Sequence, residues 1–87
     1  MSIGQIVFSK KGRDKGLPFV VIATEQNYLY LADGKLRKIE NPKKKKLMHV
    51  AKTNHIDTVL ACGIESRQNV KNSDIRTAIE NFVKKGG

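Results

Sequence analysis

Short apolar segments alternate with tight turn signals along the first half of the chain, and this spacing is typical of strands. Each segment is rich in β-branched, aromatic or other apolar residues. The segments are QIVFS (5–9), LPFVVIAT (17–24), YLYLA (28–32), KLRKI (35–39) and LMHVA (47–51). Glycines in the 9–16 turn and the Asp-Gly pair at 33–34 permit the positive φ angles of tight turns. The pattern predicts a small, mainly β structure.

Four consecutive lysines, residues 43–46, directly follow Pro42. Proline has no N–H to donate to a neighbouring strand, so Pro42 is expected to end the strand at 35–39. We therefore predict that the lysine run is a tight connection between two strands. Such a connection would present its charge at a fixed place, whereas a tail would not.

The end of the chain carries the pattern of an amphipathic helix over 73–85. Ser73 or Asn72 can cap it, and Asp74 falls in its first turn. One apolar stripe follows at helical spacing: Ile75, Ala78, Ile79, Phe82 and Val83. A helix this short is marginal alone, so we expect the stripe to dock on the strands. Residues 53–72 are predicted to be an irregular or short-helix connection.

The chain has 87 residues and a formal net charge of +9, which indicates one small domain with a polyanionic partner. RNA, DNA and anionic membrane are the alternatives. The start, MSIGQIVFSKK, lacks the pattern of a signal peptide, and the longest apolar run is too short to span a bilayer. A single cysteine, Cys62, is predicted to be a small buried residue. These features favour a cytoplasmic protein that is monomeric when free and does not bind membranes.

Catalysis is not predicted. His49 and His55 are the only histidines, and they lack the cysteine or carboxylate neighbours of a metal site. The segment KKGRDKG lacks the spacing and the Lys-Ser or Lys-Thr ending of a phosphate-binding loop. No cofactor, metal or small-molecule substrate is expected.

The lysine run by itself could be a solvated loop, a nuclear address, a membrane patch or a nucleic-acid contact. A second basic cluster in the 9–16 turn favours nucleic acid, because both clusters could converge on one phosphate backbone. The predicted RNA-binding residues are Lys10, Lys11, Arg13, Lys15, Lys35, Arg37, Lys38, Lys43, Lys44, Lys45 and Lys46. Tyr28 and Tyr30 could stack on bases; otherwise they cover the edge of the strands or meet the C-terminal helix.

The segment IGQIVFSKKGRDKGLPFVVI resembles a KOW motif, on the basis of Gly4, Ile6 and Val7, then Gly12, Lys15 and Gly16, then the apolar strand 20–22. The ordered set GRDKG, ADGKLRK and PKKKK is similar to the fourteen-e family of large-subunit ribosomal proteins and to bacterial KOW proteins of similar size. The resemblance covers most of residues 2–52, and the final NSDIRTAIENFVKKG resembles the terminal helix of the bacterial relatives. Residues 53–72 have no clear counterpart in the ribosomal members.

This resemblance implies a five-stranded SH3-like barrel over 1–52, on which the helix predicted at 73–85 would pack after the connection at 53–72. It further implies that basic loops contact structured ribosomal RNA, with Gly12 and Gly16 shaping one loop for close approach to a phosphate. Ribosomal proteins would be further partners. The alternative is a protein-interaction adaptor of the transcription-elongation KOW type, for which the apolar helix stripe would have to stand free. Non-specific DNA binding is a third reading.

Overall fold

The computed structural model of the chain describes residues 1–86. Five antiparallel strands form one sheet in the order β4-β3-β2-β1-β5. They are β1 (Gln5–Ser9), β2 (Pro18–Glu25), β3 (Tyr28–Ala32), β4 (Lys43–Lys46) and β5 (Val50–Ile56). Two helices follow, α1 (Thr58–Glu65) and α2 (Asn72–Lys84). The predicted mainly β structure with a C-terminal helix is confirmed, and β4 and β5 are the two edge strands of a sheet that does not close.

The predicted connection at the lysine run is wrong, because residues 43–46 form strand β4. This strand pairs with β3, with Leu29 opposite Lys45 and Tyr30 opposite Lys44. Alternation along the strand turns Lys43 and Lys45 to the face that carries Leu29 and Leu31, while Lys44 and Lys46 point away from it. The lysines therefore have two different environments.

The strand predicted at 35–39 is also wrong, because a loop connects β3 to β4. The carboxylate of Asp33 accepts hydrogen bonds from the backbone N–H groups of Lys35 (2.8 Å) and Arg37 (2.9 Å). These bonds use the donors that a strand ladder would need. Gly34 has a φ of +78°, as its turn requires.

The chain after the lysine run departs from the predicted bounds. Residues Leu47–His49 form a single 3₁₀ turn rather than a strand, and β5 extends to Ile56, so the boundary predicted at residue 52 lies inside the last strand. The connection at 53–72 contains the short helix α1. The carboxylate of Asp57 caps it by accepting a hydrogen bond from the N–H of Leu60 (3.0 Å). Cys62 is exposed on α1, contrary to prediction, whereas Leu60 and Gly63 are the residues that α1 buries.

Helix α2 begins at Asn72, with Lys71 in the cap position that was predicted for Ser73 or Asn72. The backbone N–H of Lys71 donates to the carboxylate of Asp74 (2.9 Å), which lies in the first turn as predicted. The side chain of Asn72 has another task. It accepts a hydrogen bond from the N–H of Ile39 (2.8 Å) and donates to Glu40, and so ties the β3–β4 loop to the helix.

Both faces of the sheet carry an apolar core. One core consists of Ile6, Val20 and Ala32 beneath Leu60 of α1 and the α2 residues Ile75, Ala78 and Phe82. The other consists of Val7, Phe19, Val21, Leu29, Leu31 and Val50. The expected docking of the α2 stripe is observed for Ile75, Ala78 and Phe82, and Ile79 is half-buried. Val83 remains 53% exposed. The helix therefore completes the core of its own chain.

Candidate nucleic-acid interface

The loop between β1 and β2, residues 10–16, carries the first basic cluster on a tightly turned backbone. Gly12 and Gly16 have φ angles of +88° and +86°, the left-handed region that glycine adopts without strain. The N–H of Gly16 donates to the carbonyl of Ser9 (2.8 Å), and the N–H of Lys15 donates to that of Gly12 (3.2 Å). Both glycines thus shape the loop, whereas their approach to a phosphate stays a prediction.

One carboxylate fastens this loop to the lysine strand. Asp14 accepts hydrogen bonds from Lys43 Nζ (2.7 Å), Lys45 Nζ (2.8 Å) and Ser9 Oγ (2.6 Å). We call these four residues the Asp14 cluster. Lys45 Nζ also donates to the backbone carbonyl of Lys11 (2.6 Å). The cluster therefore joins two segments that lie about thirty residues apart in the sequence.

The Asp14 cluster is largely shielded from water. The side chains of Asp14 and Lys45 are 13% and 8% exposed, and that of Lys43 is 27% exposed. Burial of the carboxylate would raise its pKa, but hydrogen bonds from Lys43, Lys45 and Ser9 outweigh that effect and hold the pKa of Asp14 well below its ordinary value. Asp14 is therefore a carboxylate throughout the physiological range.

The assignment of Lys45 as a phosphate contact conflicts with this geometry. Its ammonium group is buried and bound to Asp14 and to the Lys11 carbonyl. A phosphate could reach it only by breaking the Asp14 cluster. Lys45 instead holds the 10–16 loop against β4. Lys43 contributes to this role, because it binds the same carboxylate.

The loop and the lysine strand together line a shallow cationic groove. The backbone N–H of Lys10 donates to the carbonyl of His49 (2.8 Å), which joins the start of the loop to the residue before β5. The lining residues are Lys11, Gly12, Tyr28, Lys43, Lys44, Lys45, Lys46 and His49. The expected convergence of the two basic clusters is therefore observed for Lys11 and the lysine run 43–46.

The remaining predicted residues lie around this groove rather than in it. Arg13 and Arg37 line a neighbouring depression together with Lys43. Lys35 lines another depression, beside Arg76 of α2. Lys10, Lys15 and Lys38 are exposed. Of the third segment, residues 35–38, Arg37 is therefore the residue placed beside the cationic groove.

Tyr28 and Tyr30 lie next to Lys44 on the outward side of β3. Lys44 Nζ is 4.5 Å from the ring centroid of Tyr28 and 5.9 Å from that of Tyr30. It also pairs with Glu25 at 3.2 Å, and the Tyr30 hydroxyl donates to Glu25 (3.1 Å). Both side chains of this pair are about half exposed, so the pair contributes little to stability. Lys44 can therefore exchange Glu25 for another anion at small cost.

His49 reports the positive potential of the groove. Slight burial and the nearby charges of Lys11, Lys46, Lys45 and Lys10 lower the pKa of His49. The sequence analysis predicted no functional role for His49, because nothing in its neighbourhood along the chain places it beside the 10–16 loop. Lys45 and Lys46 are close to His49 along the chain, whereas Lys10 and Lys11 reach it only in the folded protein.

This potential predicts a salt-dependent titration of His49. At low ionic strength we expect the NMR titration midpoint of His49 to lie below the ordinary value of 6.5. The midpoint should rise when salt is added, because salt screens the lysine charges. Lys11→Gln should raise the midpoint in the same way, whereas Lys84→Gln at the end of α2 should not. A midpoint that responds neither to salt nor to Lys11→Gln would contradict the convergence of charge on the groove.

Other kinds of site find no support in the part of the chain that the structure describes. Residues 1–86 contain no group of three or more histidine, cysteine or acidic side chains placed to hold a metal ion. Neither α1 nor α2 is long and apolar enough to cross a membrane.

No protein-family model matches the chain, and a search of curated proteins finds no sequence significantly similar to it. The functional proposal therefore depends on the geometry of the cationic groove.

Proposed function

We propose that the protein is a non-catalytic RNA-binding module that holds the phosphates of structured RNA in the cationic groove. The single observation that carries this proposal is the Asp14 cluster, because it fixes a basic loop and a basic strand as one surface. A merely solvated lysine run would not need a buried carboxylate to orient it. The ribosomal part of the proposal, a large-subunit rRNA partner with neighbouring ribosomal proteins in the cytoplasm, rests on the resemblance to the fourteen-e family.

We also propose that the fold is an SH3-like barrel. A five-stranded antiparallel sheet whose last two strands are joined by a 3₁₀ turn is compatible with an SH3-like barrel of the KOW type, in which the glycine-shaped loop at 10–16 would correspond to the KOW motif. In that arrangement the 10–16 loop and the lysine strand present their charge on one side of the barrel.

The mechanism is electrostatic. Exposed ammonium and guanidinium groups bind phosphates and release condensed counterions, so affinity falls as salt rises. Asp14 binds both inward lysines and balances one of their two charges, so the exposed lysines, Lys10, Lys11, Lys44 and Lys46, are the ones that meet the RNA. These residues bind phosphates rather than base edges, so readout depends mostly on the shape of the RNA.

The adaptor alternative is disfavoured by the packing of α2. An adaptor would need the apolar stripe as free surface, yet Ile75 is fully buried and Phe82 is only 7% exposed against the sheet. A major-groove DNA reader is disfavoured as well. Helix α2 carries Asp74 and Glu80 along with Arg76, and the guanidinium of Arg76 donates to the carbonyl of Gly34 (2.6 Å) instead of facing solvent.

The proposal is tested by titrating the full chain with a labelled fragment of large-subunit rRNA that contains helices and internal loops. We expect binding whose logarithmic salt slope is steep, about 2 to 4 between roughly 50 and 200 mM salt. Polyglutamate of matched charge should compete poorly, because a flexible carboxylate chain lacks the spacing of a folded phosphate backbone. Absence of binding at low salt, or equal competition by polyglutamate, would contradict RNA as the partner.

The ribosomal part has its own test, sedimentation of host extract on a sucrose gradient at low and high salt. Migration with the large subunit at low salt is the expected result. Retention at high salt would identify a firmly bound subunit component, and loss at high salt a peripheral factor. Absence from ribosomes at low salt would leave RNA binding intact but remove rRNA as the target.

A further inference from the structure

An apolar pocket lies directly beside the cationic groove. Its lining residues are Asn27, Tyr28, Lys46, Leu47 and Met48. The N–H of Leu47 donates to the carbonyl of Asn27 (2.9 Å), which fixes the 3₁₀ turn against the β2–β3 turn. Met48 is 71% exposed and Leu47 is 39% exposed. Large apolar side chains are thus presented to water next to a strongly positive surface.

Tyr28 lies between the apolar pocket and the cationic groove, because it lines both of them. Lys46 does the same from the neighbouring strand. Tyr30 differs, since its hydroxyl is bound to Glu25 and it lines neither feature. The two tyrosines, equivalent in the sequence pattern, therefore have different surroundings.

We propose that this pocket binds an unpaired nucleobase, and that the protein consequently prefers RNA with a bulged or single-stranded nucleotide over fully paired RNA. The inference rests on the proposed function, because the phosphates of the same nucleotides lie in the cationic groove. The ring of Tyr28 and the thioether of Met48 offer flat and polarisable surfaces on which a base can stack. Paired bases are stacked inside a helix and cannot enter such a pocket.

The shared lining residues explain why phosphate and base can be held together. Lys46 places an ammonium group at the border, where it can bind a backbone phosphate while the attached base turns towards Leu47 and Met48. Asn27 also lines the pocket, and a side-chain amide can both donate a hydrogen bond to the edge of a base and accept one from it. A protein segment with acidic and apolar residues would fit the same charges, but the groove and pocket together match a repeating phosphate and a planar base better.

The experiment compares two RNA duplexes of equal phosphate number, one fully paired and one with a central bulge containing 2-aminopurine. We expect the full chain to bind the bulged duplex about 10-fold more tightly and to change the 2-aminopurine fluorescence on binding. Met48→Ser and Tyr28→Ser should reduce this preference to about 2-fold or less and abolish the fluorescence change, while Tyr28→Phe, which keeps the ring, should retain both. Val59→Ser, which removes an 82% exposed apolar side chain from α1, is the matched control.

The outcomes separate the pocket from the groove. Equal affinity for the two duplexes, with a steep salt slope, would overturn the base pocket and leave the cationic groove standing. A preference for the bulge that survives both Met48→Ser and Tyr28→Ser would also overturn it. Failure to bind either duplex at low salt would overturn the proposed RNA-binding function itself.

Discussion

Asp14→Asn is expected to lower the free energy of unfolding by about 3 kcal/mol at neutral pH, because it removes the anion from a shielded cluster with two cations. Lys45 is 8% exposed and would keep a buried charge with no anionic partner. Urea denaturation followed by circular dichroism measures the loss. Glu65→Gln, at the exposed end of α1, removes one carboxylate from the surface and should change stability by less than about 0.5 kcal/mol.

The lowered pKa of Asp14 also predicts that the free energy of unfolding depends on pH. The folded-state pKa of Asp14 lies below its ordinary value of 3.8, so the unfolded chain takes up a proton on this residue at higher pH than the folded chain does. Its contribution to stability is therefore fully present above about pH 4 and is lost as the pH falls further. The difference in unfolding free energy between wild type and Asp14→Asn should shrink over that acid range. A constant difference down to pH 2 would contradict the assignment.

A double variant distinguishes an unpaired charge from general damage at the site. Lys45→Met keeps an unbranched side chain that is one atom shorter and removes its charge. When a buried ion pair is replaced as a whole, stability often changes little. Asp14→Asn combined with Lys45→Met should therefore be more stable than Asp14→Asn alone. If the two losses simply add, Asp14 and Lys45 do not interact in the way described.

The second large effect concerns RNA. Replacing Lys10, Lys11 and Lys46 by glutamine is expected to reduce affinity for structured RNA on the order of 100-fold at low salt and to lower the logarithmic salt slope by about 2, because about 0.7–0.9 is lost for each phosphate contact. These three lysines are exposed and lie outside the Asp14 cluster, so the fold should persist. Circular dichroism of the variant checks this.

The matched control changes the same number of charges elsewhere. Lys71, Lys84 and Lys85 lie at the two ends of α2 and are exposed. Their replacement by glutamine takes three charges from the formal net charge of +9, as the groove variant does. We expect it to change affinity only a few-fold, through long-range electrostatics. Equal losses in the two variants would mean that binding depends on total charge and not on the groove.

The sequence predicted those elements whose apolar residues repeat with a clear period. YLYLA alternates, and its two leucines are buried on one face; the α2 stripe has helical spacing, and three of its members are buried. The lysine run has no such contrast, because four identical residues show no alternation. Its strand becomes visible only through pairing with β3, where Lys45 lies opposite Leu29. Lysine also has a low strand propensity, which favoured the wrong interpretation.

Side-chain hydrogen bonds account for other errors. Asp33 draws the backbone of residues 35–37 into a loop, so the Asp-Gly pair was a correct turn signal, but the strand expected after it is absent. Asp14 lies in the 9–16 turn, which the sequence indicated only as a basic cluster. Its function depends on lysines 29 and 31 positions away, and no local pattern indicates a contact over that distance. An isolated carboxylate within a basic loop is nevertheless a pattern that could have suggested an ion pair with distant lysines.

Strand β4 has a consequence for the behaviour of the protein at high concentration. It is an edge strand, and exposed edges offer unpaired backbone groups with which a second molecule can extend the sheet. Every residue of this edge is a lysine, and two of the four side chains point outward into solvent. A second copy that approached edge to edge would bring its own lysine strand against this one, and the two would repel each other. The lysines that we propose to bind a polyanion therefore also oppose pairing of this edge with the β4 edge of a second copy.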